Sequence, residues 1–335
     1  WINPLYPNAY DENLKWEETT TWNVGVDMAW LNNRIAVAAD WYLRDTKDLL
    51  ATVPVPAGMT TTNSMTRNIG TLRNIGVEFN VTARPVVTKD FSWTLGYNIG
   101  WNKNKITALT GSADEDKSFT LDAEGNPAST SAGPIQVHKV GYPANSFYVL
   151  EQVYGPDGNP LEGVYVDQNG DGKIGNEDLI INHSRDPKVT MTLSNTFNYK
   201  NWDFGITLRA SLGNYVYNAM RARMMNLSGL EGQGNILHNV IDSDFYFTSA
   251  TGTTNLVRSD YFVENASFLR CDNITVGYTW DNLFRDSLRL RLFGAVQNPF
   301  VITKYSGLDP EVFSGVDNNA YPRPLTVSLG VVASF

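Results

Sequence analysis

The residue types and spacing that point most specifically to chemistry are in Asp167-Gln168-Asn169-Gly170-Asp171-Gly172-Lys173-Ile174-Gly175-Asn176-Glu177-Asp178. Counted from Asp167, side-chain oxygens stand at positions 1, 3 and 5 (Asp167, Asn169, Asp171), glycine at 6, a backbone carbonyl at 7 (Lys173) and a carboxylate at 12 (Asp178). Ca2+ takes about six to eight hard oxygen ligands, and this order of donors around a sharp glycine turn supplies them. The stretch reads as a calcium loop, with Asp167, Asn169, Asp171, Lys173 and Asp178 as metal ligands and Ca2+ as a structural cofactor. Asp178 is shorter than the bidentate glutamate of an EF-hand, which weakens the expected affinity.

Other reactive groupings are missing from the sequence. It contains no nucleophile elbow, no H-E-x-x-H, no phosphate loop and no dinucleotide fingerprint after a strand, so no catalytic residue is assigned and the chain is not read as an enzyme. Glu17/Glu18 and Asp114/Glu115/Asp116 read as solvated loop charges. The lone Cys271 cannot form an internal disulfide, and His138, His183 and His238 lie too far apart in sequence to suggest zinc. Twenty-six basic against thirty-five acidic residues give a net charge of -9 with no Lys/Arg run, which argues against a nucleic-acid partner. The loop aromatics Tyr6, Tyr10, Tyr305 and Tyr321 are of the kind that stacks on sugar rings, but substrate-binding residues stay unassigned.

The elements that must position these groups follow from a period of two. Phe91, Trp93, Leu95, Tyr97, Ile99 and Trp101 alternate with polar or glycine residues, and so do Trp202, Phe204, Ile206, Leu208, Ala210 and Leu212. Between them, Val189, Met191, Leu193, Phe197 and Tyr199 form a row broken only by Asn195. Equivalent rows run over 22–30, 35–43, 75–83, 274–280, 288–292 and 325–335, which makes nine strands. Charged residues are 18% of the chain, below the ~25% of a soluble domain, so part of the surface is expected to face something other than water. No apolar run is long enough for a spanning helix, which leaves a spanning barrel open.

Strand length favours the barrel. Soluble strands average ~5–6 residues, whereas most of these rows reach the ~9–11 needed to cross a bilayer at a tilt. Trp22 and Trp30, like Trp93 and Trp101, are eight residues apart on one face. That is about 26 Å along a strand, or roughly 20 Å after tilting, close to the ~25 Å apolar band between aromatic girdles. Short turns (Asn32-Asn33, Val87 to Asp90, Lys200-Asn201, Asp281 to Asp286) alternate with long loops at about 49–69, 105–187, 214–262 and 299–322, as periplasmic turns alternate with extracellular loops.

The fold class expected is therefore all-β: a transmembrane antiparallel β-barrel with long extracellular loops. In this scheme residues 1–18 are an extracellular loop segment, 19–335 are barrel, and 105–187 are an extracellular insert carrying the calcium-type loop 167–178. An odd strand count implies that the chain, which begins at Trp1 without an initiator Met, is the C-terminal portion of a larger barrel. Asp27, Asp40, Glu78, Arg84, Asp203, Arg209, Arg289 and Arg291 take lumen-facing phases, and 215–225 reads as a short helix with Val216 and Met220 on one face.

A set of ordered motifs then adds a resemblance. Asn13-Leu14-Lys15-Trp16-Glu17-Glu18-Thr19-Thr20, Leu31-Asn32-Asn33-Arg34, Asp45 to Leu50 and Asn68 to Glu78 are followed by the 167–178 loop with Asp186-Pro187-Lys188. Asn265 to Arg270, Gly277-Tyr278, Gln297-Asn298-Pro299-Phe300, Tyr305 to Glu311 and Tyr321-Pro322-Arg323-Pro324 complete the set. Together they resemble the C-terminal half of SusC/RagA-type TonB-dependent transporters of Bacteroidetes outer membranes. The resemblance implies a 22-stranded barrel around an N-terminal plug, with plug and TonB box absent from this chain. It further implies a SusD-like lipoprotein lid, energy from TonB-ExbB-ExbD, and active import of a large nutrient, mostly an oligosaccharide and in some members a peptide. Its address would be the Gram-negative outer membrane, with lipid as the barrel's neighbour. A non-transporting surface barrel and a soluble all-β protein are the competing readings; a plug upstream, or solubility without detergent, would separate them.

Overall fold

The computed structural model describes residues 10–54, 64–109, 118–121, 135–224, 258–283, 288–318 and 321–334. Tyr6, Asp114, Glu115, Asp116, His238 and Phe335 lie outside the described residues, as does part of the turn after Asp281. Nine strands form one antiparallel meander, each paired with its neighbours in chain order. They are β1 (Glu18–Trp30), β2 (Ile35–Pro54), β3 (Ser64–Val87), β4 (Phe91–Leu109), β5 (Val189–Tyr199), β6 (Trp202–Leu212), β7 (Phe268–Asn282), β8 (Leu288–Thr303) and β9 (Thr326–Ser334). These are the nine strands that the alternation marks.

Tight turns close one end of the sheet. Leu31, Asn32 and Asn33 take φ of 53°, 56° and 62°, and Lys200 takes 52°, left-handed values that asparagine tolerates better than most residues. Pairing across the strands lines up the apolar rows. Trp41, Val77, Trp101, Val189 and Leu212 are successive partners from β2 to β6 and form one band. Nearer the turns, Trp93, Phe197 and Phe204 form another, with ring centroids 5.7 and 5.9 Å apart. The described residues put no second layer over this face: Val276 and Leu292, on the inner strands β7 and β8, are 41% and 46% exposed. Asn195, the break in the apolar row, accepts a hydrogen bond from Trp93 Nε1 at 3.0 Å, so its polar group is satisfied on that face.

The strands outrun the alternating rows at the end away from the turns. β2 and β3 have 20 and 24 residues, and bulges shift their register at Thr46/Leu49, Thr71/Leu72 and Ala83/Val86. There the chain between β4 and β5 builds a separate cap. Leu179–Ser184, Ser146–Leu150, Gln136–Lys139 and Ser118–Leu121 form a four-stranded sheet, and Gln152–Tyr154 pairs with Pro160–Tyr165 as a hairpin. The extended run Phe147 to Tyr154 is thus divided at Glu151 between two sheets. After β6, Tyr215–Tyr217 pairs with Val263–Asn265, and a helix spans Ala219–Met224. Val216 is therefore on a strand instead of the expected helix. The Asn218 side chain accepts from Arg221 N at 2.9 Å and starts the helix after it.

Candidate functional site

The face of the sheet opposite the apolar rows is polar, and side chains bridge it from strand to strand. Asp203 on β6 accepts from Arg291 Nε and Nη2 on β8 at 2.9 and 2.6 Å, passing over Gly277 on β7. A Cβ at Gly277 would stand 2.5 Å from Asp203 Oδ1 and 2.7 Å from Arg291 Nη2, so this bridge needs a bare backbone beneath it. Gly76 on β3 plays the same part for Tyr42 on β2, whose hydroxyl donates to Asn102 Oδ1 on β4 at 3.1 Å. Asp40 and Glu78 face each other across β2 and β3, and Asp27 is opposite Ala38. Arg84 and Arg289 sit at the turn end. Arg84 lies within the bulge between Ala83 and Val86, and Arg289 pairs with Asp281 at 3.0 Å in the open.

The chain between β8 and β9 is strapped to this inner face. Arg270 Nη2 donates to Asp309 Oδ1 at 2.6 Å, with both side chains under a tenth exposed. Its Nε lies 3.0 Å from Glu311 Oε2 as an ion pair without hydrogen-bond geometry. Glu311 also receives Arg209 at 2.6 and 3.0 Å and Arg323 at 2.7 Å, while Arg209 grips Asp272 on its other side at 3.0 and 3.2 Å. Three guanidiniums and three carboxylates thus neutralise one another. Of these, the sequence reading placed only Arg209; alternation gave no hint that residues 309–311 fold back onto the wall.

Above the wall the long loops share one core. Phe147, Val149, Tyr217, Phe262 and Val316 are buried together although they come from four separate stretches of chain. Polar locks tie the same stretches. Asp260 accepts from Gln152 N at 2.9 Å and Asn182 Nδ2 at 3.2 Å, and Tyr305 donates to Asp317 Oδ2 at 2.7 Å. Burial pushes the Asp260 carboxyl above its usual range, and burial together with Asp317 raises the Tyr305 hydroxyl. Tyr10 and Tyr321 stay exposed, whereas Tyr305 is packed away.

The loop 167–178 folds around its own oxygens. Asp167 accepts from Gly170 N at 2.7 Å and Gly172 N at 2.8 Å, Asn169 from Asp171 N at 2.9 Å, and Asp171 from Lys173 N at 2.8 Å. Gly170 and Gly172 take φ of 75° and 76°, which explains glycine at both. Asp178 is buried and accepts from Gln168 N at 2.9 Å and Gly175 N at 2.7 Å. The Gly175 amide holds its carboxyl below the usual range, and the Asp167 carboxyl lies within hydrogen-bonding reach of it. The loop brings Asp167 and Asp178 together but leaves Asp171 turned to its own backbone; no group of three His, Cys, Asp or Glu is gathered among the described residues. The loop offers oxygen donors only, the chemistry a hard cation takes.

A cavity of 430 Å³ lies on the inner face where wall meets cap, lined by Tyr42, Asn74, Glu78, Asn102, Arg185 and Thr190 among others. The family described as TonB dependent receptor-like, beta-barrel matches residues 2–298.

The chain belongs to the TonB-dependent receptor family.

Within that family it is 46% identical to TonB-dependent receptor SusC of Bacteroides thetaiotaomicron over 98% of this chain and 33% of SusC. A TonB-dependent receptor of Formosa agariphila is 28% identical over 97% of this chain and 35% of its own length. Among solved structures, the RagAB peptide transporter superposes with a TM-score of 0.76 over 98% of this chain and 36% of that one, at 24% identity, a likeness of fold. The chain spans about a third of the length of the relatives it matches. The nine-stranded sheet is thus a transmembrane TonB-dependent receptor barrel portion, and the family places it in the outer membrane. No described helix is long and apolar enough to cross a membrane.

Proposed function

We propose that this chain forms the C-terminal part of a barrel that actively imports a large polar nutrient, an oligosaccharide, across the outer membrane. The observation that carries the reading is the 46% identity to SusC from one end of the chain to the other. In this reading an N-terminal plug and an odd number of further strands complete a 22-stranded barrel, and TonB-ExbB-ExbD pulls on the plug. A SusD-like lipoprotein closes over the cap, so that residues 1–18 and 105–187 lie outside the cell. The inner wall does no bond chemistry. Asp203 with Arg291 and Arg209 with Asp272 and Glu311 are paired on it, while Asp40 and Glu78 face each other, so a polar ligand passes a hydrated surface of mixed charge.

The test is uptake by a strain lacking the full-length gene and complemented with it. Labelled oligosaccharide should enter only the complemented strain and only when TonB is present. Entry of labelled peptides instead would move the substrate class to peptides, and TonB-independent entry would contradict the reading.

Ca2+ held by Asp167, Asn169, Asp171, the Lys173 carbonyl and Asp178 is part of the same proposal, the ion replacing backbone N–H groups that these side-chain oxygens now accept. The ion would neutralise the Asp167, Asp171 and Asp178 carboxylates and stiffen the insert; it supplies no step of transport. Titration calorimetry of the full-length protein should show one Ca2+ site that Asp167→Ala abolishes. No heat at millimolar Ca2+ would contradict it.

A further inference from the structure

The inner cavity of 430 Å³ has a floor whose geometry the strand pairing fixes. Asn74, Gly76 and Glu78 alternate along β3 and stand opposite Asn104, Asn102 and Gly100 on β4, and Thr190 on β5 is opposite Gly100. Cross-strand partners point to one side of a sheet, so Asn74, Asn102, Glu78 and Thr190 share the face that carries the Tyr42–Asn102 hydrogen bond, away from Ile99 and Trp101. Gly100 is the bare centre of this floor: a Cβ there would stand 3.4 Å from Thr190 Oγ1 and 3.7 Å from Glu78 Cγ.

Asn104 uses its side chain within the protein, donating to Asp186 Oδ2 at 2.7 Å and accepting from Ala144 N at 2.8 Å. The Asn74 amide, the Glu78 carboxylate, the Asn102 Nδ2 group and the Thr190 hydroxyl have no hydrogen-bond partner among the described residues. Donors and acceptors thus stand together in one cavity for water or a ligand to engage, and its volume is in the range of ~300–1,000 Å³ that small ligands fill. An apolar surface stands at the rim. Arg185, which lines the cavity, donates to Ser314 O on the strap at 3.1 Å and sets its Cζ 5.5 Å from the ring centroid of Phe313. That ring is 95% exposed, so it gains nothing from the core and keeps a face for a partner. A pyranose has hydroxyls around its edge and C–H groups on its faces, which suits polar groups beside an exposed phenyl ring. An extended peptide needs a free strand edge, and β4 is paired on both sides along this floor.

We infer that this cavity is a sugar subsite of the import path, taking one uncharged hexose unit with Asn74, Glu78, Asn102 and Thr190 on its hydroxyls and Phe313 against its C–H face. The inference rests on the reading that the barrel imports an oligosaccharide. The full-length protein in detergent is titrated calorimetrically with short α-glucan, β-glucan, fructan and mannan oligosaccharides and, separately, with short peptides of mixed sequence. At least one saccharide should bind. Asn74→Ala and Phe313→Ala should each weaken that binding at least threefold and together at least tenfold, while Phe313→Trp and the turn variant Lys89→Gln should keep it. The Phe313→Ala change removes an exposed ring, so its heat-modifiable gel migration should match wild type. Wild-type affinity in the single and double alanine variants would overturn the subsite alone, since the barrel would still bind sugar. Binding of peptides with none of the saccharides bound would overturn the subsite and the oligosaccharide reading together. Uptake of labelled oligosaccharide that Phe313→Ala with Asn74→Ala leaves at the wild-type rate at limiting substrate would also overturn the subsite while leaving the import reading intact.

Discussion

Asp203 and Arg291 meet across a strand that belongs to neither of them, and the residue beneath the meeting point is Gly277. Three strands are thereby tied by one bridge on a wet face. Gly277→Ala should force the bridge apart and remove its coupling, about 0.2–1 kcal/mol for a pair this exposed. A double-mutant cycle with Asp203→Asn and Arg291→Gln, read by urea unfolding, checks it: the coupling should be present on the glycine background and near zero on the alanine one.

Leu208 and Thr207 are adjacent on β6 and face opposite sides. Leu208 pairs with Leu193, and Thr207 with Ser194. Leu208→Arg puts a cation into hydrocarbon and should destabilise the barrel by about 2–4 kcal/mol, while Thr207→Arg on the polar side should cost far less. Unfolding from detergent or lipid gives the comparison, and equal damage from both would mean the faces are misassigned.

The strap between β8 and β9 hangs on a buried pair. Arg270→Ala leaves Asp309 buried without its cation and should cost about 3–5 kcal/mol. Hydrogen exchange over 305–318 should rise with it. Arg323→Ala, which loses an exposed contact to Glu311, should change exchange there little.

Two carboxylates of the cap titrate in opposite senses. Asp260 is raised by burial, so its contribution to stability is fully present below the ordinary carboxylate range near ~4 and fades as pH rises through its folded value. Asp178 is held down by the Gly175 amide, so its contribution is present above ~4 and is lost as pH falls through its folded value. Exchange protection of the Ser146–Leu150 strand, taken as wild type minus variant, should rise on acidification for Asp260→Asn and fall for Asp178→Asn. The same sign for both would contradict the assignment.

Much of the wall was legible because hydrocarbon on one side and water on the other enforce a strict period of two. Trp202 to Leu212 needed no other information. The ends of the strands were not legible: bulges at Thr46/Leu49 and Cys271/Asn273 shift the phase, and alternation carries no mark of a bulge. The 167–178 spacing was visible in the sequence, yet its fold adds what spacing could not, namely that Asp167 and Asp171 each accept amides of the loop itself. The cap core and the Arg270–Asp309 pair were hidden because they join stretches 39 or more residues apart, with no local pattern to announce them.

The account stands on what touches the outward row of β6. Nitroxide labels placed one at a time at Leu208 and Thr207, with Cys271 replaced by Ala and the full-length protein in lipid bilayers, read this directly through collision with oxygen and with a water-soluble nickel chelate. The account predicts high oxygen and low nickel accessibility at 208 and the reverse at 207. Low accessibility to both at 208, the mark of a side chain packed under protein, would contradict it.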